Sequence, residues 1–158
     1  MSDDFGFIPG FMPALERSAA ALEARNRLTR AIATGLLTRR ERALVGLAVA
    51  HVSRSDYCIW AQSCVARRAG LTGEDILFAG VGSALHRREA AIVKLAVEIA
   101  SSGVFAEHEV KQLRHDPVLS KAEVMEVVSN AAFAVINNYL IQSLDPADRA
   151  SVRKDRAV

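Results

Sequence analysis

Apolar residues recur at helical spacing along most of this chain. In the clearest stretch, Leu44, Leu47, Ala48 and His51 fall on one face of a helix that begins near Thr38. No segment shows the alternation of apolar and polar residues that is typical of a half-buried β-strand. The pattern therefore predicts an all-α fold, a bundle of about seven helices.

Capping residues and turn residues set the predicted helix boundaries. Thr38 with Glu41, and Ser120 with Glu123, have the spacing of a capping box, in which two side chains satisfy the exposed N–H groups of a helix start. Ser55 and Thr72 are suitable N-caps, and Gly70 suits the left-handed conformation that ends many helices. The predicted helices are 13–35, 38–52, 55–69, 73–83, 87–100, 106–114 and 120–144.

The sequence contains an internal repeat. RERALVGLAV (40–49) is identical to REAAIVKLAV (88–97) at seven of ten positions, and LTGEDIL (71–77) resembles LSKAEVM (119–125). Both pairs are 48 positions apart. Two similarities in one register indicate a duplicated helical unit, so we expect a two-fold repeat within the bundle.

A chain of 158 residues is expected to form a single domain with a sizeable core. Residues 1–12 form an irregular arm that holds three of the six phenylalanines, and we expect it to dock on the body or on a neighbouring subunit. Residues 13–144 are the predicted helical core. The highly charged tail, 145–158, is expected to fray.

Composition and charge exclude several classes of function. The net charge is +2, which creates no strong field for nucleic acid or acidic lipid. The acidic N-terminus lacks the basic start of a signal peptide, and we count no apolar run of the roughly 18 residues needed to span a bilayer. We therefore expect a cytoplasmic protein that binds neither nucleic acid nor membrane.

Six arginines make the region between residues 25 and 42 basic. They form either a solvated face with subunit salt bridges or a site for an anion or nucleic acid, and the pattern alone does not separate these readings. The six are Arg25, Arg27, Arg30, Arg39, Arg40 and Arg42.

Cys58 is the residue with the clearest chemical signal. It lies in the first turn of the helix that Ser55 caps, where free N–H groups and the helix dipole favour a thiolate. This predicts a lowered thiol pKa and a reactive cysteine. The alternative is a cysteine buried in the core, which is the reading we give to Cys64, since that residue shares a stripe with Trp60.

Other polar residues near Cys58 have structural and functional readings. Gln62, one turn later, is placed to hydrogen-bond the thiol or a ligand, or to form a polar pair at a subunit interface. His51 either faces the same pocket or is a satisfied histidine at a helix end. The histidines show no ligand spacing, so we expect no metal and no cofactor. Asn137 and Asn138 lie in an apolar helix, so at least one should hydrogen-bond a buried group.

The stretch ERALVGLAVAHVSRSDYCIWAQSCVARRAGLTGEDI (41–76) resembles the core of the alkylhydroperoxidase D / carboxymuconolactone decarboxylase family. The resemblance implies an all-helical subunit that assembles into homo-oligomers, trimers or hexamers. In the peroxidase branch of that family the site is a Glu, eleven residues, Cys-x-x-Cys, three residues and a His. The corresponding residues here are Ala43, Ser55, Cys58 and Gln62, and Tyr57 lies where the family can place a relay residue.

The resemblance suggests three functions. The first is a peroxidase-like antioxidant protein in which Cys58 works alone with an external thiol reductant, either a partner protein or a small thiol. The second is a non-catalytic, oligomeric ligand-binding or scaffold protein, suggested by Ala43, Ser55 and Gln62. The third is a lyase of the decarboxylase branch with a relocated base such as His51.

Overall fold

The computed structural model describes residues 12–102 and 117–144, and within those ranges the chain is helical with no strand. The predicted all-α fold is confirmed. The helices are α1 Met12–Leu15, α2 Ala19–Ala33, α3 Arg39–Val52, α4 Asp56–Arg68, α5 Gly73–Gly80, α6 Arg87–Ser102 and α7 Lys121–Gln142.

The predicted caps position the helices that carry the site. The hydroxyls of Thr38, Thr72 and Ser120 each accept a hydrogen bond from the third helical residue, whose carboxylate accepts one in return, so α3, α5 and α7 all begin with capping boxes. Ser55 caps α4. Gly70 has φ +86°, the left-handed conformation that lets the chain turn after α4.

Several boundaries differ from the prediction. The single helix predicted over 13–35 is two helices, because Ser18 adopts an extended conformation and its side chain caps α2. The spacing of Leu15, Ala19, Leu22, Leu28 and Ile32 predicts an inward face. Leu15 is buried in α1, but α2 contains no buried residue, and Leu28 is 36% exposed, so the prediction is wrong for α2. Helix α5 ends at Gly80 and α7 at Gln142, each earlier than predicted. The predicted arm up to residue 11, the helix 106–114 and the tail 145–158 lie outside the described residues.

Helix α3 is the centre of the bundle. Every residue from Ala43 to Ala50 is buried, and α3 packs against α4, α6 and α7. Complete burial of a side chain such as Leu44 or Leu47 stabilises the fold by about 1.5–3 kcal/mol relative to exposure. Because α3 is surrounded by other helices, the position of a residue along α3 determines which neighbouring helix or cavity its side chain faces.

Helix α7 is more apolar over its length than our reading of the sequence allowed. Its 22 residues meet the length and composition criteria for a membrane span, contrary to our count from the sequence. Core helices of globular proteins meet the same criteria. One face of α7 is buried against α3 and α6, with Val127, Ala131 and Ala134 in the main core.

The internal repeat is confirmed by a symmetric set of ion pairs. Arg40 contacts Asp75 and Glu89, at 2.7 Å each. Arg88 and Glu123 lie 48 positions after Arg40 and Asp75, and Glu41 lies 48 positions before Glu89. Arg88 contacts Glu123 at 2.5 Å and Glu41 at 2.6 Å, which completes the matching set. Each arginine thus joins an acid of its own copy to an acid of the other copy. These contacts hold α3 and α6 together through the first turn of each helix.

Candidate functional site

A cavity of about 100 Å³ lies where α2, α3, α4 and α7 meet. Ala43 and Gly46 of α3 face it, three residues apart, as do Gln62 and Val65 of α4, so both pairs lie on one helical face. Ala43 and Gln62 are the positions of the Glu and the His in the family that the sequence resembles. The structure therefore brings these two positions together at one cavity.

The polar lining of the cavity consists of guanidinium groups, amides and one hydroxyl. Among the described lining residues there is no carboxylate and no histidine. Guanidinium groups stay protonated at all ordinary pH values, and amides do not ionise. These lining residues therefore offer positive charge and no acid or base. The polar residues are Arg25, Thr29, Arg39, Arg42, Gln62, Asn130 and Asn137.

Two of these arginines have defined positions. Arg25 donates its Nε–H to Asn137 Oδ1 at 3.1 Å, and its guanidinium lies 5.9 Å from the centre of the Phe133 ring. Asn137 in turn donates to the Phe133 carbonyl oxygen at 3.1 Å, which confirms that this asparagine satisfies a buried hydrogen bond. Arg42 donates from its Nη1 group to the Leu37 carbonyl oxygen. These contacts orient both cations on the cavity wall.

The Gln62 side chain lies directly against α3 at Gly46. A Cβ added to Gly46 would be 2.6 Å from Gln62 Oε1 and 3.0 Å from its Cδ, so only glycine leaves room for this arrangement. Within the described residues, the Gln62 amide has no hydrogen-bond partner. Both its donor and its acceptor atoms are therefore available to a molecule in the cavity.

Cys58 lies where the sequence predicted, but its environment differs. The Ser55 hydroxyl accepts a hydrogen bond from the Cys58 amide at 3.4 Å, which confirms the cap at the start of α4. Cys58 is only 2% exposed and does not line the cavity between α2, α3, α4 and α7. Burial raises the pKa of the Cys58 thiol, and the opposing hydrogen bond from Ser55 is a smaller effect. The predicted low pKa is wrong, because desolvation of the thiolate outweighs the helix start.

Tyr57 and Cys64 belong to packing rather than to the cavity lining. Tyr57 is buried in a second apolar cluster with Met12, Leu15 and Leu144, and its ring centre lies 5.6 Å from that of Trp60. Cys64 is half-buried, and both cysteines are free. Neither residue lines the cavity that holds Gln62.

His51 faces a different part of the molecule. Its ring lies against Gly80, where an added Cβ would be 3.0 Å from His51 Cε1. It lines a separate cavity of about 620 Å³ between α3, α5 and α6. Burial lowers the pKa of the His51 imidazole. His51 and Gln62 were expected to face one pocket. In the described part of the chain they line two different cavities instead.

The basic region divides into three environments. Arg25, Arg39 and Arg42 line the cavity, Arg40 is held in the symmetric ion pairs, and Arg27 pairs with a glutamate of its own helix at 2.7 Å. The reading as solvated or paired side chains therefore holds for Arg27 and Arg40. The reading as an anion site stays a prediction for the three arginines that line the cavity.

Sequence reasoning missed the contribution of α7 to the cavity. Asn130 and Phe133 were not singled out, although Asn130 and Asn137 are seven residues apart and so lie on one face of the helix. That spacing was the available signal. No cluster of three or more potential metal ligands exists in the described parts of the chain.

Residues 19–81 match the sequence profile of the Carboxymuconolactone decarboxylase family. Two similar solved structures are crystal structures of the debrominase Bmp8, one of a Cys-to-Ala variant in complex with 2,3,4-tribromopyrrole and one of the apo protein. Their TM-scores are 0.71 and 0.70, each at 16% identity over 86% of the Bmp8 chain and 98% and 97% of this one.

At this identity, the Bmp8 structures show a shared fold and not a shared activity. A search of curated proteins gave no significant match. The matched segment includes Ala43, Ser55, Cys58 and Gln62, the positions that correspond to the active-site motif of the peroxidase branch. Residues 19–81, which carry the cavity-lining faces of α3 and α4, are thus similar in sequence to the carboxymuconolactone decarboxylase family.

Proposed function

We propose that this chain is a small-molecule-binding member of the family, in which the cavity between α2, α3, α4 and α7 binds a ligand without catalysing a reaction. The observation that carries the proposal is the pairing of Ala43 and Gln62 at that cavity. In the peroxidase branch these positions hold the groups that relay protons. Here one side chain is a methyl group and the other an amide, and neither transfers protons at neutral pH.

Two further observations support binding over catalysis. The Cys58 thiol is buried and its pKa is raised, so little of it is the reactive thiolate at neutral pH. The shared fold also accommodates a small ring compound in a relative, since Bmp8 is seen in complex with 2,3,4-tribromopyrrole. Small ring compounds are therefore reasonable first probes for this chain.

The proposal is tested by a fragment screen with ligand-observed NMR on three proteins. The variant Gly46→Ala pushes the Gln62 amide into the cavity. The control Gly73→Ala makes the same change at the start of α5, where no atom lies within 4 Å of the new Cβ. We expect fragments that bind the wild type and the control but not Gly46→Ala. If no bound fragment is displaced by Gly46→Ala, the cavity is not a binding site.

The second candidate function is the peroxidase-like antioxidant activity predicted from the sequence. It is favoured by the position of Cys58 in the first turn of α4, on the same helical face as Gln62. The Cys58 sulfur would attack a peroxide oxygen, the O–O bond would break, and the leaving oxygen would take a proton as water or an alcohol. An external thiol would then condense with the sulfenic acid to a mixed disulfide, with release of water, and a second external thiol would break that disulfide, restoring the Cys58 thiol and leaving the two external thiols joined as a disulfide.

These two functions are separated by trapping sulfenic acid with dimedone under mild peroxide, followed by mass spectrometry. The experiment uses Cys64→Ser protein, so that Cys58 is its only thiol, with Cys58→Ser as the blank. The binding proposal predicts no adduct on Cys58 in the folded protein. An adduct that forms faster than on a free thiol would favour the antioxidant function instead.

We also propose that the chain forms a homo-oligomer, as the family resemblance implies. Leu77 and Val81, one helical turn apart near the end of α5, are 75% and 80% exposed, which supports an apolar contact with another subunit. Light scattering coupled to gel filtration tests this directly. A monomeric mass at micromolar concentration would contradict it.

A further inference from the structure

We propose that the cavity selects small molecules that carry an oxyanion, and that Arg42 and Gln62 are the pair that holds it. The inference rests on the proposed binding function and names the chemical class of its ligand. An organic carboxylate and a small inorganic oxyanion both present the negatively charged oxygens that Arg42 and Gln62 would hold. The test below separates these two sources.

The charge of the lining is the first argument. Three guanidinium groups line the cavity, from Arg25 on α2 and from Arg39 and Arg42 on α3, and no carboxylate is among its lining residues. A partly enclosed cavity between four helices screens charge less than open water does. An anion therefore gains more there than at an exposed basic patch.

The geometry of Arg42 is the second argument. Its Nη1 group donates to the Leu37 carbonyl oxygen, which fixes the guanidinium plane. The Arg42 side chain makes no other hydrogen bond or ion pair with the described residues. The Nε–H and Nη2–H groups, which form the side-on fork of an arginine, are therefore available. That fork matches the two oxygens of a carboxylate or similar oxyanion in a bidentate pair.

Gln62 and the size of the cavity complete the argument. The Gln62 amide stands on the same wall without a protein partner, so its NH₂ group can donate to a ligand oxygen. The cavity volume of about 100 Å³ is smaller than the roughly 150 Å³ that holds a benzene molecule. It accommodates an oxyanion group with a few further atoms, and a larger ligand would extend through the open side.

The experiment compares propionate with propionamide, which has the same shape but no charge, and adds nitrate as the inorganic arm. Binding is followed by the side-chain amide resonances of Gln62 in ¹⁵N-labelled wild-type protein. We expect propionate to shift these resonances and to bind at least about tenfold more tightly than propionamide, since a charge-assisted bond is replaced by a neutral one. Nitrate binding that competes with propionate indicates that the oxyanion itself is recognised; propionate binding alone assigns the site to carboxylates.

Variants of Arg42 test the assignment of the cation. Arg42→Gln should weaken propionate by about tenfold or more, and Arg42→Lys should restore part of the affinity as a point charge without the fork. The control Arg68→Gln removes the same charge from the exposed end of α4, and binding should change by less than about twofold. Thermal melting of each variant verifies folding.

Two results would overturn the inference. One is propionamide binding as tightly as propionate, and the other is Arg42→Gln binding propionate as tightly as the wild type. If either occurs while fragments are still displaced by Gly46→Ala, the cavity binds small molecules but not through an oxyanion, and the proposed function stands. If Gly46→Ala displaces nothing, the proposed function itself fails.

Discussion

The close contact between Gly46 and Gln62 gives a prediction with a magnitude. Glycine inside a helix such as α3 costs about 0.5–1 kcal/mol relative to alanine, so Gly46→Ala would ordinarily stabilise the protein. Here the new Cβ would lie 2.6 Å from Gln62 Oε1, and the side chain must leave its position. An off-rotamer side chain costs about 0.5–1.5 kcal/mol, which offsets the gain. We therefore expect Gly46→Ala to change the free energy of unfolding by less than about 1 kcal/mol in the wild type.

The same substitution should behave differently when Gln62 is shortened. In Gln62→Ala protein nothing opposes the new Cβ, so Gly46→Ala should stabilise by about 1 kcal/mol, and the double-mutant cycle should show a coupling energy of similar size. Urea denaturation of the four proteins measures it, with Gly73→Ala as the control for a glycine without neighbours. Equal stabilisation by Gly46→Ala in both backgrounds would show that the Gln62 amide is not held against α3, and the argument for its role at the cavity would lose its basis.

Three further predictions concern charge, the thiols and the backbone. The hydrogen bond from Arg40 lowers the pKa of the Asp75 carboxyl in the folded protein to about 2. The ionised Asp75 therefore contributes its full stabilisation above the pKa of an aspartate in the unfolded chain, about 4. This stabilisation is lost as the pH falls towards the pKa in the folded protein. Arg40→Met should reduce this loss in urea denaturation between those pH values, and equal acid sensitivity of the two proteins would contradict the assignment. Cys58 should react with iodoacetamide more slowly than Cys64 from neutral to mildly alkaline pH, because it is buried with a raised pKa; faster labelling of Cys58 in peptide mass spectrometry would show the reverse. Gly70→Ala should lower stability by about 1 kcal/mol, because only the left-handed backbone, and no neighbouring atom, opposes the new Cβ; an unchanged melting temperature would refute this.

The fold was predictable because its signals are local. Thr38, Ser55, Thr72 and Ser120 each begin a helix through a bond to a residue three positions later, and this spacing is visible in the sequence. The break at Ser18 was missed for a related reason. A serine such as Ser18, which follows an arginine and precedes three alanines, fits both a helix interior and a cap, and only the extended conformation in the structure distinguishes them.

The candidate site was less predictable because it depends on contacts between distant helices. The helix start around Cys58 was located correctly, but burial, which sets the direction of its pKa shift, comes from tertiary packing. The pairing of Arg25 with Asn137 joins residues 112 positions apart. No local pattern connects two such residues, so the basic region could be identified from the sequence while the arginines that enter the cavity could not.

Neighbouring residues of α3 show why the cavity is suited to binding rather than to proton transfer. Glu41 and Arg42 are adjacent, but successive side chains on a helix point about 100° apart. Glu41 therefore faces α6, where it accepts a bond from Arg88 Nε at 2.6 Å and completes the cap of α3. These bonds lower the pKa of the Glu41 carboxyl despite its burial, so it remains an ionised structural partner. Arg42 faces the cavity instead, next to Ala43. The acid nearest in sequence to the family's Glu position is thus committed to holding the bundle together, and the cavity keeps a cation without a base. Among the described residues that line the cavity, none is therefore a group that takes a proton from a bound molecule at neutral pH, which is the basis of the proposed binding function.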